Sequence, residues 1–243
     1  MEAEAVHRLL VIAKEADAPV MVVHLTNKKA FEEVMRARAN GQEVYAETCP
    51  QYLLLDDSVY AKPDFQGAVY VCAPPIRKKE DQDCLWEALS REDIQTVATD
   101  QCSFTLAQKA LGKDDFTKIP GGLPGVQTRG TLLYTYGVKE GRITQEQMCK
   151  LLSENPAKLY GVYPQKGVLA PGSDADIVVL DPEKESVISA ATHAYNTDNN
   201  PFEGIRLRCG IDKVFLRGSL TVDDGRLVKE KLGKYIARGK KQM

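Results

Sequence analysis

The chain has 243 residues, of which 43% are hydrophobic and 27% charged, and its formal net charge is -2. This composition is typical of a globular protein of one or two domains, and the charge gives no reason to expect nucleic acid as a partner. No apolar run approaches the roughly 18 residues of a membrane span, and residues 1–4 lack the basic and apolar parts of a signal peptide. Six cysteines without a C-x-x-C pair indicate reduced thiols in a cytoplasmic protein.

Helical and strand-like patterns alternate through the first hundred residues. The predicted order is a helix at 2–17, a strand at 19–25, a helix ending near 41, a strand at 44–48, a short strand at 69–72, a helix at 79–89 and a strand at 94–98. The run at 19–25 is continuously apolar up to His24, as expected of a strand that is covered on both faces. The alternation predicts a parallel α/β fold, either a barrel or an open sheet.

The second half changes character twice. A long loop follows the last of these strands, with a highly charged part at 109–118 and a Gly- and Pro-rich part at 119–125. Helices are then predicted at 126–138, at 144–153 with Thr144 and Gln147 as a capping box, and at 155–160. From residue 167 the chain is β-rich, with a strand at 177–181 and an antiparallel pair at 211–216 and 218–228. Residues 229–243 are basic, with a weak helical pattern.

Two polar residues, His24 and Asp100, stand at the ends of apolar strands, where α/β proteins carry their chemistry. Imidazole and carboxylate ligands suit a metal hydrolase, but a catalytic zinc needs about three protein ligands. The alternatives are a structural histidine and a turn aspartate, or a thiol nucleophile at Cys49 or Cys102 paired with His24. Neither a G-x-S-x-G elbow nor a phosphate-binding loop is present.

The sequence resembles the C-terminal part of the dihydropyrimidinase/hydantoinase family of cyclic amidohydrolases. Within that family it is most similar to bacterial hydantoinases, including phenylhydantoinase-like members. The matching segments run in family order over nearly the whole chain: VVHL at 22–25, ETCPQYL at 47–53, PPIR at 74–77, TDQCSF at 99–104, GKDDFTKIP at 112–120, GSDAD at 172–176 and FEG at 202–204.

The resemblance implies a partial (β/α)8 TIM-type hydrolase barrel over residues 1–166, part of a small β-sandwich over 167–228 and a basic tail over 229–243. It also implies two Zn²⁺ ions, with His24 as a metal ligand and Asp100 as both a metal ligand and the general base and acid. The substrate would be a small cyclic ureide, a dihydropyrimidine or a 5-substituted hydantoin, opened to an N-carbamoyl amino acid.

The sequence also departs from the family pattern. Ala73 and Gly121 occupy substrate-contact positions where hydantoinases usually have Ser and Asn. The other metal ligands of the family lie before the point where this chain begins, so we expect a fragment that is inactive in isolation. Family contacts to substrate at the two changed positions are largely made by the backbone, which would allow ring binding to survive.

Two other readings of the family resemblance are open. One is a non-catalytic scaffold that keeps the fold without metals, and the other is an allantoinase- or dihydroorotase-like hydrolase. The presence of His24 and Asp100 argues against a non-catalytic scaffold. The motifs TDQC at 99–102 and DFTK at 115–118 favour the hydantoinase branch over allantoinase or dihydroorotase. The tail resembles a family segment that helps subunits assemble, so a homo-oligomer, a tetramer or a dimer, is expected for the full-length parent.

Overall fold

The structure is a computed structural model that describes all residues from 1 to 243. Contacts within the chain define two compact units, Met1–Arg129 with Ile188–Ile205, and Gly130–Val187 with Arg206–Met243. The division at 166 and 228 expected from the sequence remains a prediction. No helix has the length and apolar character that crossing a bilayer requires.

Five α-helices lie in the N-terminal segment of the first unit, Met1–Arg129. They are α1 (Glu2–Glu15), α2 (Lys28–Ala39), α3 (Pro50–Leu54), α4 (Lys79–Ser90) and α5 (Leu106–Lys109). Apolar residues at helical spacing bury one face of each long helix, as with Val6, Leu10 and Ala13 of α1. Asn27 begins α2, because its side-chain oxygen accepts from the backbone N–H of Ala30 at 2.9 Å.

A three-stranded parallel sheet forms the centre of this unit. Its strands are β1 (Val20–Val22), β2 (Val44–Thr48) and β3 (Thr96–Val97), in the spatial order β1-β2-β3. Helices connect consecutive strands, which confirms the parallel α/β fold predicted from the alternation. Parallel strands end at the same edge of a sheet, so the residues after β1 and β3 come to one edge.

The short strand predicted at 69–72 is wrong. Gln66–Tyr70 forms a 3₁₀ helix instead, preceded by Phe65 in the left-handed conformation. A short apolar run has the same composition in a buried turn as in a buried strand, so periodicity could not separate the two. The Val71 carbonyl accepts from Gly122 N–H at 2.9 Å rather than from a neighbouring strand.

The second unit begins with helices and ends with strands. Its elements are α6 (Arg129–Leu133), α7 (Gln145–Cys149), α8 (Asn155–Leu159), β4 (Ile177–Asp181), β5 (Ser186–Val187), β6 (Arg206–Leu207), β7 (Gly210–Leu216), β8 (Ser219–Asp223) and β9 (Arg226–Leu227). Single π-helical turns continue α6 and α7. The Thr144–Gln147 capping box is confirmed, with Gln147 N–H 3.1 Å from Thr144 Oγ1.

The strands of this unit form an antiparallel sheet in the order β4-β7-β8-β9, and β5 pairs with β6. The predicted antiparallel pair is confirmed as β7 and β8. The weak helix predicted in the tail is wrong, because no helix forms after residue 227. The backbone N–H groups of Gly239 and Gln242 donate to the carbonyls of Gly161 and Lys158, at 2.7 and 3.0 Å, instead of bonding within a helix.

Candidate functional site

His24 and Asp100 follow the two outer strands of the parallel sheet at the same edge. Both adopt positive φ, +42° for His24 and +49° for Asp100. Non-glycine residues adopt this conformation infrequently, and seven others do so in this chain, so positive φ distinguishes this pair only together with its place at one sheet edge. His24 is half-buried and Asp100 is exposed, so both remain accessible from solvent.

Hydrogen bonds to β2 fix the backbone beside both residues. Next to His24, Leu25 N–H donates to the Glu47 carbonyl at 2.7 Å, and Thr48 Oγ1 donates to the Leu25 carbonyl at 2.8 Å. Toward Asp100, Ala98 N–H donates to the Thr48 carbonyl at 2.9 Å. The end of β2 therefore fixes the backbone of the two segments that carry His24 and Asp100.

The Glu47 carboxyl is the acidic group between these two candidates. Burial raises its pKa, while a hydrogen bond from Thr96 Oγ1 at 2.8 Å and attraction to His24 and Arg129 oppose the rise. Electrostatic repulsion from Asp100 raises the pKa of Glu47 further. The guanidinium of Arg129 has its own pKa lowered by burial, and Glu47 offsets part of that effect. The edge thus holds two carboxyl groups with an imidazole and a guanidinium.

The donor set by itself does not complete a metal site. No group of three or more His, Cys, Asp or Glu side chains lies together as a set that could hold a metal ion. His24 and Asp100 are separated by β2, which puts their strands roughly 10 Å apart. Two donors of this chemistry fit part of a zinc site, but a catalytic zinc takes about three protein ligands.

Ala73 and Gly121, the two candidate substrate positions, come together although they are 48 positions apart in the chain. A Cβ placed on Gly121 would lie 3.8 Å from the Ala73 nitrogen. Both residues are exposed, and the peptide bond between Ala73 and Pro74 is cis. Their small side chains leave the backbone of both segments open to a ligand.

The thiol alternative has little support. Burial raises the pKa of Cys49 well above its ordinary value, which disfavours the nucleophilic thiolate. Cys102 is exposed and has no hydrogen bond to His24. All six cysteines are free, as predicted.

Sequence reasoning missed two residues around this edge. Lys109 counted only as the start of a charged loop, yet it is 2% exposed and bonded to three carbonyls. Gln101, read only as part of a motif, accepts through Oε1 from the N–H groups of Gly125 and Val126 at 2.6 and 3.0 Å. A capping box at Thr105 and Gln108 was the available signal that a helical turn, ending at Lys109, interrupts the loop.

The parallel α/β fold, with polar residues at one edge of its sheet, was compared with known proteins. The family model described as "Amidohydrolase family" matches residues 1–221, and the chain belongs to that family.

Individual relatives narrow the similarity to hydantoinases. The chain is 47% identical to a D-hydantoinase of Streptomyces coelicolor, over 92% of this chain and 48% of the relative. It is 45% identical to a D-hydantoinase of Geobacillus stearothermophilus, over 99% of this chain and 51% of the relative. The crystal structure of a dihydropyrimidinase from Brevibacillus agri matches with a TM-score of 0.91 and 45% identity, over 93% of this chain and 49% of that one. The chain thus spans about half the length of the relatives it matches.

Proposed function

We propose that this chain serves the metal-dependent hydrolysis of a cyclic amide bond in a hydantoin or a dihydropyrimidine. The observation that carries the proposal is the pair His24 and Asp100, held at one sheet edge in left-handed backbone conformations. The D-hydantoinase and dihydropyrimidinase names of its relatives supply the substrate class. Water adds across the ring C–N bond, and the product is an N-carbamoyl amino acid.

Each candidate residue has a stated role in this proposal, and Asp100 has two. His24 and Asp100 are metal ligands, and the Asp100 carboxylate also accepts the proton of the attacking water and delivers it to the leaving nitrogen. The backbone at Ala73 and Gly121 binds the ring. Two Zn²⁺ ions are the proposed cofactors, and a zinc ion, when bound, lowers the pKa of water and polarises a carbonyl.

We further propose that the 243 residues are inactive alone. His24 and Asp100 cannot hold two zinc ions, and the remaining ligands would come from the portion of the relatives that this chain does not match. A homo-oligomer is proposed for the complete protein. The tail offers one apolar contact for it, since Tyr235 is 93% exposed. The free cysteines suit a cytoplasmic location.

Complementation tests the function. The chain is mixed with the part of the Geobacillus stearothermophilus D-hydantoinase that its match leaves uncovered, and the assembly is isolated by gel filtration. We expect Zn²⁺-dependent release of N-carbamoyl products from dihydrouracil or 5-phenylhydantoin by the assembly, and none by either part alone. An isolated 1:1 assembly that binds zinc and opens neither ring would contradict the proposal.

A further inference from the structure

Lys109 is the most completely buried lysine side chain of the parallel-sheet unit, and its charge has no carboxylate partner. It is 2% exposed, and its Nζ donates to the carbonyls of Val71, Pro120 and Gly122 at 2.9, 2.8 and 3.1 Å. The Phe104 ring lies beneath it, with its centroid 5.6 Å from Nζ. An ammonium group has three donors, and here every one has an acceptor.

The three carbonyls belong to the two segments that carry the candidate substrate positions. Pro120 and Gly122 flank Gly121, and Val71 lies two residues before Ala73. One direct backbone hydrogen bond already joins these segments, from Gly122 N–H to the Val71 carbonyl at 2.9 Å. The ammonium adds three more links, so it fixes the relative position of the two segments.

The local sequence explains how a lysine reaches this point. Thr105 and Gln108 form a capping box, with Thr105 N–H 2.8 Å from Gln108 Oε1 and Gln108 N–H 3.2 Å from Thr105 Oγ1. The box starts the single turn of α5, and Lys109 is the last residue of that turn. The turn directs its side chain inward, although its neighbours Gln108 and Ala110 are exposed.

We propose that Lys109 is a positioning residue for the ring substrate: it holds the backbone at Ala73 against that at Gly121 in the geometry that binds the ring. The inference rests on the proposed function. Burying an unpaired charge is costly, and a hydrophobic side chain would fill the space more cheaply. What an ammonium alone supplies here is one rigid point that joins three backbone acceptors from two segments.

The protonation state of Lys109 gives the proposal a distinctive readout. Burial lowers its pKa to about 8, and the groups that face it electrostatically are the thiols of Cys72 and Cys102, which oppose that effect. Above that pH the amine keeps two N–H donors for three carbonyls. Ring binding should therefore weaken as the pH rises through about 8.

The test uses the full 243-residue chain, labelled with ¹⁵N and titrated with dihydrouracil from pH 6.5 to 9.5. The dissociation constant is read from the amide signals of Ala73 and Gly121, and hydrogen exchange is followed at Gly122 N–H. Lys109→Met is compared with Lys113→Met, which removes an exposed lysine four residues later. Cys72→Ser and Cys102→Ser test whether a thiol causes the pH dependence.

We expect Lys109→Met to weaken binding about tenfold or more, to speed exchange at Gly122 and to abolish the pH dependence. Lys113→Met should keep the dissociation constant and its rise near pH 8, and the two serine variants should keep the rise but move it to lower pH, because each thiol opposes the lowering of the Lys109 pKa. Unchanged affinity in a folded Lys109→Met, or a flat pH profile in the unsubstituted chain, would overturn the inference. The second result needs no variant, so it decides even if Lys109→Met does not fold.

The failure of the proposed function has a different signature. The proposed function fails if the complemented assembly opens neither ring, whereas an unsubstituted chain that shifts neither the Ala73 nor the Gly121 signal at any pH binds no ring alone and removes only the positioning role. A chain that binds dihydrouracil while Lys109→Met binds it equally well leaves the function standing and removes only the positioning role.

Discussion

His24 and Asp100 share one backbone feature: each adopts the left-handed conformation within three residues of the end of an outer strand of the same three-stranded sheet. The conformation costs a non-glycine residue roughly 1 kcal/mol or more, so a fold without use for these side chains would do better with glycine at both positions. We interpret the pair as backbone strain retained for function.

This interpretation predicts an inverted order of stability at position 100. Asp100→Gly and Asp100→Ala both remove the carboxylate, but only glycine relieves the positive φ, so the glycine variant should be the more stable by about 1 kcal/mol. Urea unfolding measures the difference. In the exposed interior of α2, Glu32→Gly and Glu32→Ala should show the ordinary order, with alanine more stable by about 1 kcal/mol. Equal stability of the two Asp100 variants would contradict the strain.

Glu47→Gln should change how stability depends on pH. Burial raises the pKa of Glu47 above 4.5, so the folded chain binds this proton more tightly than the unfolded chain. The free energy of unfolding therefore falls as the pH rises from about 4.5 through the raised pKa. Glutamine removes that fall, so the variant should gain stability over the parent from acid to neutral pH. Urea unfolding at pH 4 and 7 measures it, with exposed Glu32→Gln as the control that should show no such trend.

Gly122 lies where the Gly- and Pro-rich loop touches the segment after Asp100. Its φ is +151°, and a Cβ there would lie 2.7 Å from the Cβ of Cys102 and collide with the Cys102 carbonyl oxygen. Gly122→Ala should displace the loop and cost about 1–3 kcal/mol. Gly130→Ala, with nothing within 4 Å of the new Cβ and a helical backbone, should instead stabilise by about 0.5–1 kcal/mol. Thermal unfolding of the two variants compares them directly, and equal melting temperatures would rule out the close approach.

The sequence predicted what depends on local patterns. Apolar runs bounded by helices located β1, β2 and β3, and the Thr144 box located the start of α7. The same patterns placed His24 and Asp100 at the ends of strands, and in the structure both residues lie at one edge of the parallel sheet. The family resemblance, borne out by the amidohydrolase match, added Ala73 and Gly121, whose proximity no spacing rule could show.

What the sequence could not predict depends on contacts between distant segments. Val69 to Cys72 has the composition of a strand, but the Val71 carbonyl accepts from Gly122 N–H, 51 positions along the chain in a loop. Lys109 begins a charged run, and the Thr105–Gln108 capping box marks the turn before it but not the three carbonyls that bind its ammonium group. The tail forms no helix despite its weak helical pattern, and Gly239 and Gln242 bond instead to the carbonyls of Gly161 and Lys158.

The rate of ring opening by the complemented assembly, with Asp100 against Asp100→Asn, tests the central role most directly. Asparagine tolerates positive φ and keeps the side-chain shape, so folding and assembly should be unchanged. Without the carboxylate, zinc-dependent release of N-carbamoyl product from 5-phenylhydantoin should fall by about 10² to 10⁴-fold. An Asp100→Asn assembly that opens the ring as fast as the unsubstituted one would contradict the assignment of Asp100 as the proton carrier.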